Sequence, residues 1–183
     1  MTHLVDLVQW EAFPEQALDY TKDIKITSAR RWTTDIPLSK FKTITKLDGF
    51  PEYLKKNVSS DSILNVSSNG EVNYQLRGVN AKTSVIWNYE SKDPVARATG
   101  GDTHFSTMRG TKANLLIKQG PEEQYKVTLY IEPVKADGAY EQLVTEKFAG
   151  LQEKFPGIEL VKNKKGWMVS IPDKYKEGHE AHF

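Results

Sequence analysis

The sequence contains no cysteine, which excludes disulfide bonds, thiol nucleophiles and thiolate metal sites. It also has no run that approaches the roughly 20 apolar residues of a membrane-spanning helix. The first residues lack the charged leader and apolar core of a secretory signal peptide, so any such peptide would lie upstream. We therefore expect no contact with a membrane, and these features indicate no particular cellular compartment.

Charge of neither sign is in excess. Lysine and arginine number 25 and aspartate and glutamate 24, which gives a formal net charge of +1. A chain this balanced has no net field to attract nucleic acid or an anionic membrane surface. With 183 residues, 38% of them hydrophobic, the chain can form a full-sized core, and we predict a single domain over residues 1–183.

The N-terminal part begins with an amphipathic helix pattern. Apolar residues recur at helical spacing as far as Trp10, and Thr2 is a typical N-cap residue. The pattern then predicts a strand over 24–32, followed by two short surface helices over 38–47 and 51–58. Helices therefore precede most of the strands.

The middle of the chain alternates in the manner of strands. ILNV and EVNYQL flank an Asn69-Gly70 pair, and this predicts a hairpin because Asn-Gly readily adopts the positive φ of a tight turn. A further strand over 79–89 would place alternate residues from Val79 to Tyr89 on one face. The segment SKDPVARATGGD that follows has the composition of a loop.

The remaining segments complete an α+β pattern. ANLLIKQ and YKVTLYIEP predict two more strands, and IELV and WMVSI around NKKG predict a last hairpin. Asp137 is a helix cap, and apolar residues from Tyr140 to Phe155 follow one face of a long helix that Pro156 and Gly157 end. We therefore predict an α+β fold, an open and mostly antiparallel sheet with helices packed on one face.

The segment THLVDLVQW resembles the helix that carries the active-site histidine in the Gfo/Idh/MocA family of nicotinamide-dependent sugar oxidoreductases. His3, Asp6 and Trp10 are at the matching positions. The segments ARRWTTDIPLSKF, NVSSNGEVNYQLRGVNAKTSVIWNYE and GDTHFSTMRGTKANLLIKQG resemble the C-terminal domain of oxidoreductases in this family. The resemblance extends from residue 2 to about residue 133. It implies the C-terminal-domain fold of that family, with residues 1–12 forming part of the active-site helix.

The resemblance also implies a longer parent enzyme. Family members begin with a Rossmann domain that binds NAD or NADP through a glycine-rich turn, and no G-x-G-x-x-G motif occurs in this sequence. The family pattern places an aspartate one helical turn before the histidine, at a position that would precede Met1. We therefore expect a C-terminal part of a longer oxidoreductase, with no cofactor of its own and with the missing Rossmann domain as its partner.

A histidine suits the proton transfer that accompanies hydride removal from a sugar carbon. Its ordinary pKa of about 6.5 lets it accept and return a proton near neutral pH. The resemblance implies that His3 is this base and that Trp10 contacts substrate. Asp6 either assists His3 or bonds a nearby backbone group. Judged from the residues alone, an ordinary surface role explains His3 better, because isolated histidines are common on protein surfaces.

A second group of polar side chains lies in GGDTHFSTMRGTK. His104, Arg109 and Lys112 supply hydrogen-bond donors suited to sugar hydroxyls or to a carboxylate. The same stretch is equally well explained as one more strand with a polar outer face. In the C-terminal tail, His179 and His182 have the spacing of a metal site on a helix, but no third ligand accompanies them, so no metal is predicted.

Aromatic and basic residues of the predicted strands allow two interpretations. Trp32, Trp87 and Tyr74 are suited to stacking on a sugar ring, but aromatic residues on sheet faces more often belong to a core or an interface. Arg30 and Arg31 are suited to an anionic group, or they keep a strand edge soluble. The sequence favours the structural interpretation for both sets.

With the resemblance, these features predict the substrate-side domain of an NAD(P)-dependent oxidoreductase that acts on a sugar or a sugar-derived polyol, inactive as an isolated chain. The alternatives are a non-catalytic carbohydrate-binding or scaffold module and a relative that uses NAD to cleave glycosidic bonds. Alternating apolar residues on an uncovered sheet face also predict a homo-oligomer. The expected ligand is a sugar-like small molecule, and neither nucleic acid nor a membrane is expected as a partner.

Overall fold

The computed structural model describes residues 1–87 and 102–176, and the chain divides into two compact units, Met1–Glu90 and Ser91–Phe183. Each unit contains one antiparallel sheet, so the predicted α+β class is confirmed, although the strands form two sheets rather than one. In the two described ranges, no helix is both long and apolar enough to cross a membrane. The loop predicted after Tyr89 lies outside these ranges, as do His179 and His182.

The first unit combines two α-helices with three strands. Helix α1 covers Thr2–Ala12, strand β1 Ile24–Pro37, helix α2 Leu38–Thr45, a 3-10 helix Glu52–Asn57, strand β2 Ile63–Leu76 and strand β3 Val79–Val85. The strands pair antiparallel in the order β1-β2-β3. The elements predicted up to residue 58 are confirmed, and β1 continues past Trp32 to Pro37.

The predicted turn at Asn69-Gly70 is wrong. Strand β2 continues through both residues, and Asn69 and Gly70 pair with Trp32 and Arg31 of β1. The chain reverses instead at Arg77-Gly78, where φ is 47° and 84°. Two successive positive φ values are those of the tight hairpin turn whose twist matches the flanking strands. Pairing along β2 thus overrides the local Asn-Gly signal.

Asn69 and Gly70 have other functions inside the strand. Asn69 is 5% exposed, and its side-chain nitrogen donates to Thr34 Oγ1 at 2.9 Å, while its side-chain oxygen accepts from the backbone N–H of Trp87 at 2.8 Å. At Gly70 an added Cβ would lie 2.9 Å from the terminal methyl carbon of Met1. The missing side chain therefore lets the start of α1 approach the sheet closely.

Two groups of buried side chains stabilise the first unit. Ile36, Phe41 and Leu64 form one core, to which the short helices contribute although they were expected at the surface. The partly buried side chains packed around this core are Phe50, Leu54, Val58 and Val66. Nearer the β2–β3 turn, Tyr74 is 3% exposed and Leu76 is fully buried. Both lie on the same sheet face as Gly70, where α1 begins.

The second unit contains five strands and one α-helix. Its elements are β4 His104–Arg109, β5 Ala113–Gln119, β6 Thr128–Pro133, α3 Gly138–Lys154, β7 Glu159–Lys162 and β8 Trp167–Ser170, with short 3-10 helices at Pro121–Glu123 and Asp173–Tyr175. All pairings are antiparallel, in the order β4-β5-β6-β8-β7. Strand β6 begins later than predicted because Gln124 and Tyr125 adopt positive φ values, 53° and 59°.

Helix α3 begins and ends as predicted. The carboxylate of Asp137 accepts from the backbone N–H of Tyr140 at 2.9 Å, and Gly157, with φ at 98°, follows the end of the helix. Phe148 packs from this helix into the core of the unit. The other members of that core are Ile158 and Val169, with Leu129, Ile131, Leu160, Ile171 and Tyr175 partly buried around them.

The predicted hairpin of β7 and β8 is confirmed. Its turn is closed by Asn163, whose side-chain oxygen accepts from the backbone N–H groups of Lys165 and Gly166 at 2.8 and 3.0 Å. Gly166 has φ at 153°, and a Cβ there would collide with the carbonyl oxygen of Ile131 on β6. Only glycine fits at this turn without moving β6.

Candidate functional site

The three candidate site residues of helix α1 lie on one side of the helix. His3, Asp6 and Trp10 are three and four positions apart, which aligns them along one face of a helix, and all three are exposed. Trp10 is 72% exposed and Leu7, in the same stripe, 47%. The side chains at positions 4, 5, 8, 9 and 12, on the opposite side, are half-buried. The helix thus exposes a histidine, a carboxylate and an indole to solvent.

The start of α1 differs from the prediction in one detail. Thr2 is the first helical residue rather than the cap, and Met1 occupies the N-cap position without a side-chain hydrogen bond. The carbonyl oxygen of Met1 accepts from the backbone N–H groups of Leu4 and Val5, so the first turn is closed by the backbone alone.

Arg77 in the β2–β3 turn anchors the segment that follows α1. Its guanidinium lies 5.5 Å from the ring centre of Phe13 and donates to Gln16 Oε1 at 2.9 Å, to the carbonyl oxygen of Ala17 at 3.0 Å and to Asp23 Oδ2 at 2.9 Å. The hydrogen bond from Arg77 lowers the pKa of the Asp23 carboxyl, and the same bond raises the pKa of Arg77. The histidine helix is thereby tied to the sheet at its C-terminal end.

The second predicted group lies in β4 and the turn after it. His104 and Arg109 are the first and last residues of β4, and an odd separation of five positions puts them on opposite faces, about 17 Å apart along the strand. The structure does not bring these two side chains together. Arg109 and Lys112 are both exposed and flank the β4–β5 turn. His104 is half-buried, opposite Gln119 of β5. The strand over this stretch is therefore confirmed, whereas substrate contact by these side chains stays a prediction.

The aromatic residues considered for sugar stacking separate into two groups. Tyr74 is only 3% exposed, so the core interpretation is confirmed for it, and burial raises the pKa of its phenol. Trp87 is 39% exposed, just past the end of β3. Trp32 is half-buried, and the guanidinium of Arg30 lies 4.9 Å from the centre of its ring. Arg31, the next residue in the same strand, points to the opposite face.

Sequence reasoning missed an ion cluster on the first sheet. Glu71 Oε2 accepts from Lys82 Nζ at 2.8 Å and from Arg30 Nη2 at 3.4 Å. These bonds, that from Lys82 first, lower the pKa of the Glu71 carboxyl to about 2. The polar residue at every second position of β2 was a sequence signal for this polar face. The partners of Glu71 could be found only from the register of the strands. The face around this cluster is polar, and assembly through an apolar sheet face stays a prediction.

The described part of the second unit also contains an open groove of about 520 Å³ between α3 and the β7–β8 hairpin. Phe148, Leu160 and Trp167 line it, and an ion pair between Glu141 and Lys162 lies at its edge. None of the predicted site residues lines this groove. Over residues 1–87 and 102–176, no three His, Asp or Glu side chains converge as a metal site requires.

These features define an α+β domain built on antiparallel sheets. A family model described as "Putative oxidoreductase C terminal domain" matches residues 1–183, and the chain belongs to that family. A solved crystal structure, that of "a putative oxidoreductase" from Parabacteroides merdae, is similar, with 50% sequence identity and a TM-score of 0.89. The match covers 100% of this chain and 41% of that one, so this chain spans less than half the length of that relative. No curated protein matches the chain.

Proposed function

We propose that the chain is the substrate-side domain of a nicotinamide-dependent oxidoreductase of the Gfo/Idh/MocA type that acts on a sugar or a sugar-derived polyol. The observation that carries the proposal is the exposed stripe of His3, Asp6 and Trp10 on α1, whose opposite side is half-buried. Membership of an oxidoreductase C-terminal-domain family over the whole chain supports it.

NAD or NADP does not fit the described residues. A dinucleotide is classically held at a parallel β-α-β unit with a glycine-rich turn, whereas the strand pairings described here are all antiparallel. We therefore place the cofactor on another domain of the parent enzyme, outside this chain. The similar solved chain, of which this chain matches 41%, is long enough to hold such a domain.

In this proposal the chain supplies acid-base chemistry and substrate contact. His3 accepts the proton of the substrate hydroxyl as that carbon is oxidised and returns it in the reverse direction. Asp6, one turn along the same exposed face, stabilises the charged imidazole. Trp10 offers its exposed indole to the apolar side of a sugar ring. His104, Arg109 and Lys112 remain candidates for further substrate contact, and assembly into a homo-oligomer remains a prediction.

The test uses the full-length parent enzyme with NAD and NADP and a panel of sugars and polyols, with cofactor fluorescence as the signal. For a substrate that is oxidised, His3→Asn should lower kcat by about 10²–10⁴, the usual contribution of a general base. His182→Asn, a histidine without a proposed function, is the matched control and should keep wild-type kcat. The 183-residue chain alone should neither bind NAD nor oxidise substrate. Full activity of the His3→Asn enzyme, or NAD binding by this chain alone, would contradict the proposal.

A further inference from the structure

Beside residues 71–75 of β2, the face of the first sheet turned away from α1 is polar on all three strands. On β2 it presents Glu71, Asn73 and Gln75, and the register places Arg30 and Lys25 beside them on β1 and Lys82 on β3. We refer to these six residues as the polar face. Solvent reaches most of it, since Lys25, Arg30 and Lys82 are exposed, whereas the β2 residues between them are half-buried.

The polar face carries an excess of positive charge. Its three cationic side chains outnumber its one carboxylate, and that carboxylate is largely covered, since the Glu71 side chain is 13% exposed and those of Arg30 and Lys82 are 68% and 58% exposed. Both cations converge on one atom, Glu71 Oε2. A guanidinium has five N–H donors and an ammonium three, and Glu71 Oε2 takes one from each. Donors therefore remain for an anionic group at the surface.

The cationic pair is also held in place before any ligand arrives. Arg30 lies over the ring of Trp32, 4.9 Å from its centre, and Lys82 is fixed by its 2.8 Å contact with Glu71. Asn73 donates to the other oxygen of Glu71 at 3.5 Å and to Ser28 Oγ at 3.0 Å, which fixes the amide as well. A pre-organised guanidinium favours planar carboxylates, because it binds them through two parallel hydrogen bonds.

We propose that the polar face binds an oligosaccharide that carries carboxylate groups. Arg30 and Lys82 take the carboxylate, and the side-chain oxygens of Asn73 and Gln75 accept from sugar hydroxyls. The N–H groups of these amides already donate within the face, those of Asn73 to Glu71 and Ser28 and that of Gln75 to Asn80 at 3.2 Å. These two amides are about 7 Å apart along β2, a spacing suited to an extended ligand rather than to a small anion. A nucleic acid fits less well, because it carries a charge on every nucleotide and two of the three cations on this face are already paired with Glu71.

The proposal does not depend on the proposed function, because the polar face and α1 lie on opposite faces of the sheet and the test needs no catalysis. The isotope-labelled 183-residue chain is titrated with trigalacturonate, and its backbone amide signals are followed by NMR. The matched ligand is the fully methyl-esterified trisaccharide, which keeps the hydroxyls and loses the charge. Saturable shifts confined to β1, β2 and β3 with the free acid, and none with the ester, are expected.

Two variants and a control complete the experiment. Arg30→Gln and Lys82→Gln should each weaken binding by about tenfold, since each removes one charge-assisted contact, whereas Lys147→Gln on α3 should bind as the wild type does. The spectrum of each variant shows directly whether it has folded. Equal binding of the ester, shifts that lie on α1 or in the second unit, or wild-type affinity in both folded variants would overturn the proposal.

Discussion

The guanidinium of Arg77 lies 2.9 Å from the carboxylate of Asp23, and the same nitrogen donates to the carbonyl oxygen of Ala17 at 3.0 Å. One side chain in the β2–β3 turn thus bonds to the residue before β1 and to the segment after α1. A second bond between the same two residues, from the backbone N–H of Arg77 to the carbonyl oxygen of Asp23 at 2.8 Å, reinforces the connection. The position of the histidine helix therefore depends on a turn far from it in sequence.

The first prediction concerns this connection. Arg77→Gln removes the charge and most of the donors, so the segment after α1 loses its attachment to the turn. We expect a lower urea midpoint and amide hydrogen exchange that is several-fold faster in α1 than in the wild type. Arg109→Gln, which removes an exposed arginine of β4 in the second unit, is the control. Equal effects of the two substitutions on α1 would show that Arg77 does not hold the helix.

The second prediction is a pH dependence that arises at Glu71. Its pKa is about 2 in the folded chain against an ordinary 4.5, so the ionised carboxylate stabilises the fold above pH 4.5 and this stabilisation is lost as the pH falls from 4.5 toward 2. Glu71→Gln should therefore lose less stability than the wild type over that range. Urea unfolding at several pH values measures the difference. Glu153→Gln on α3 should follow the wild-type profile, and a Glu71→Gln profile parallel to the wild type would contradict the assignment.

A third prediction tests the backbone of the second unit. Gly166→Ala should lower the free energy of unfolding by about 2–4 kcal/mol, because the new methyl group has no room beside the carbonyl of Ile131 and φ is positive there. Gly150 lies in α3 with open space around it, and Gly150→Ala should raise stability by about 0.5–1 kcal/mol. Thermal unfolding followed by circular dichroism compares the two. A neutral Gly166→Ala would mean that the turn relaxes freely.

The fourth prediction concerns Asn69, the buried amide inside β2. Asn69→Ala leaves the backbone N–H of Trp87 and the hydroxyl of Thr34 without their bonds to this amide, so we expect a loss of about 2 kcal/mol. Asn65→Ala is the matched control on the same strand, since its bond to Asp35 is in a more accessible position, and should cost less. Chemical denaturation of both variants decides whether burial makes the difference.

Local patterns in the sequence predicted most of the individual elements. The cap at Asp137, strand β5 and the last hairpin are fixed by interactions between near neighbours, and the structure confirms them. The strand predicted over 79–89 is confirmed only as far as Val85, because Ile86 and Trp87 lie outside β3. The turn at Asn69-Gly70 failed because partners more than ten residues away decide whether β2 continues. The division into two sheets is likewise a matter of long-range pairing, which periodicity does not contain.

The candidate site could be predicted only where it lies within one element. His3, Asp6 and Trp10 share a helix face, and helical spacing alone was enough to align them. Nothing in the sequence joined Arg30 to Glu71, since the two are 41 positions apart and meet only through the β1–β2 register. His104 and Arg109 are close in sequence, yet β4 places them at its two ends and on opposite faces.

The length of β2, a single strand from Ile63 to Leu76, has a consequence for how the first unit opens. Its residues 63–69 serve the core around Leu64, and its residues 70–76 pair on both sides and include Tyr74 and Leu76. The two halves meet at a register shift between Trp32 and Thr34 of β1, and pairing with β1 continues on both sides of it, so β2 belongs to both cores. The amides of β2 should be the last of the first unit to exchange with solvent, and they should do so together, as one cooperative unit.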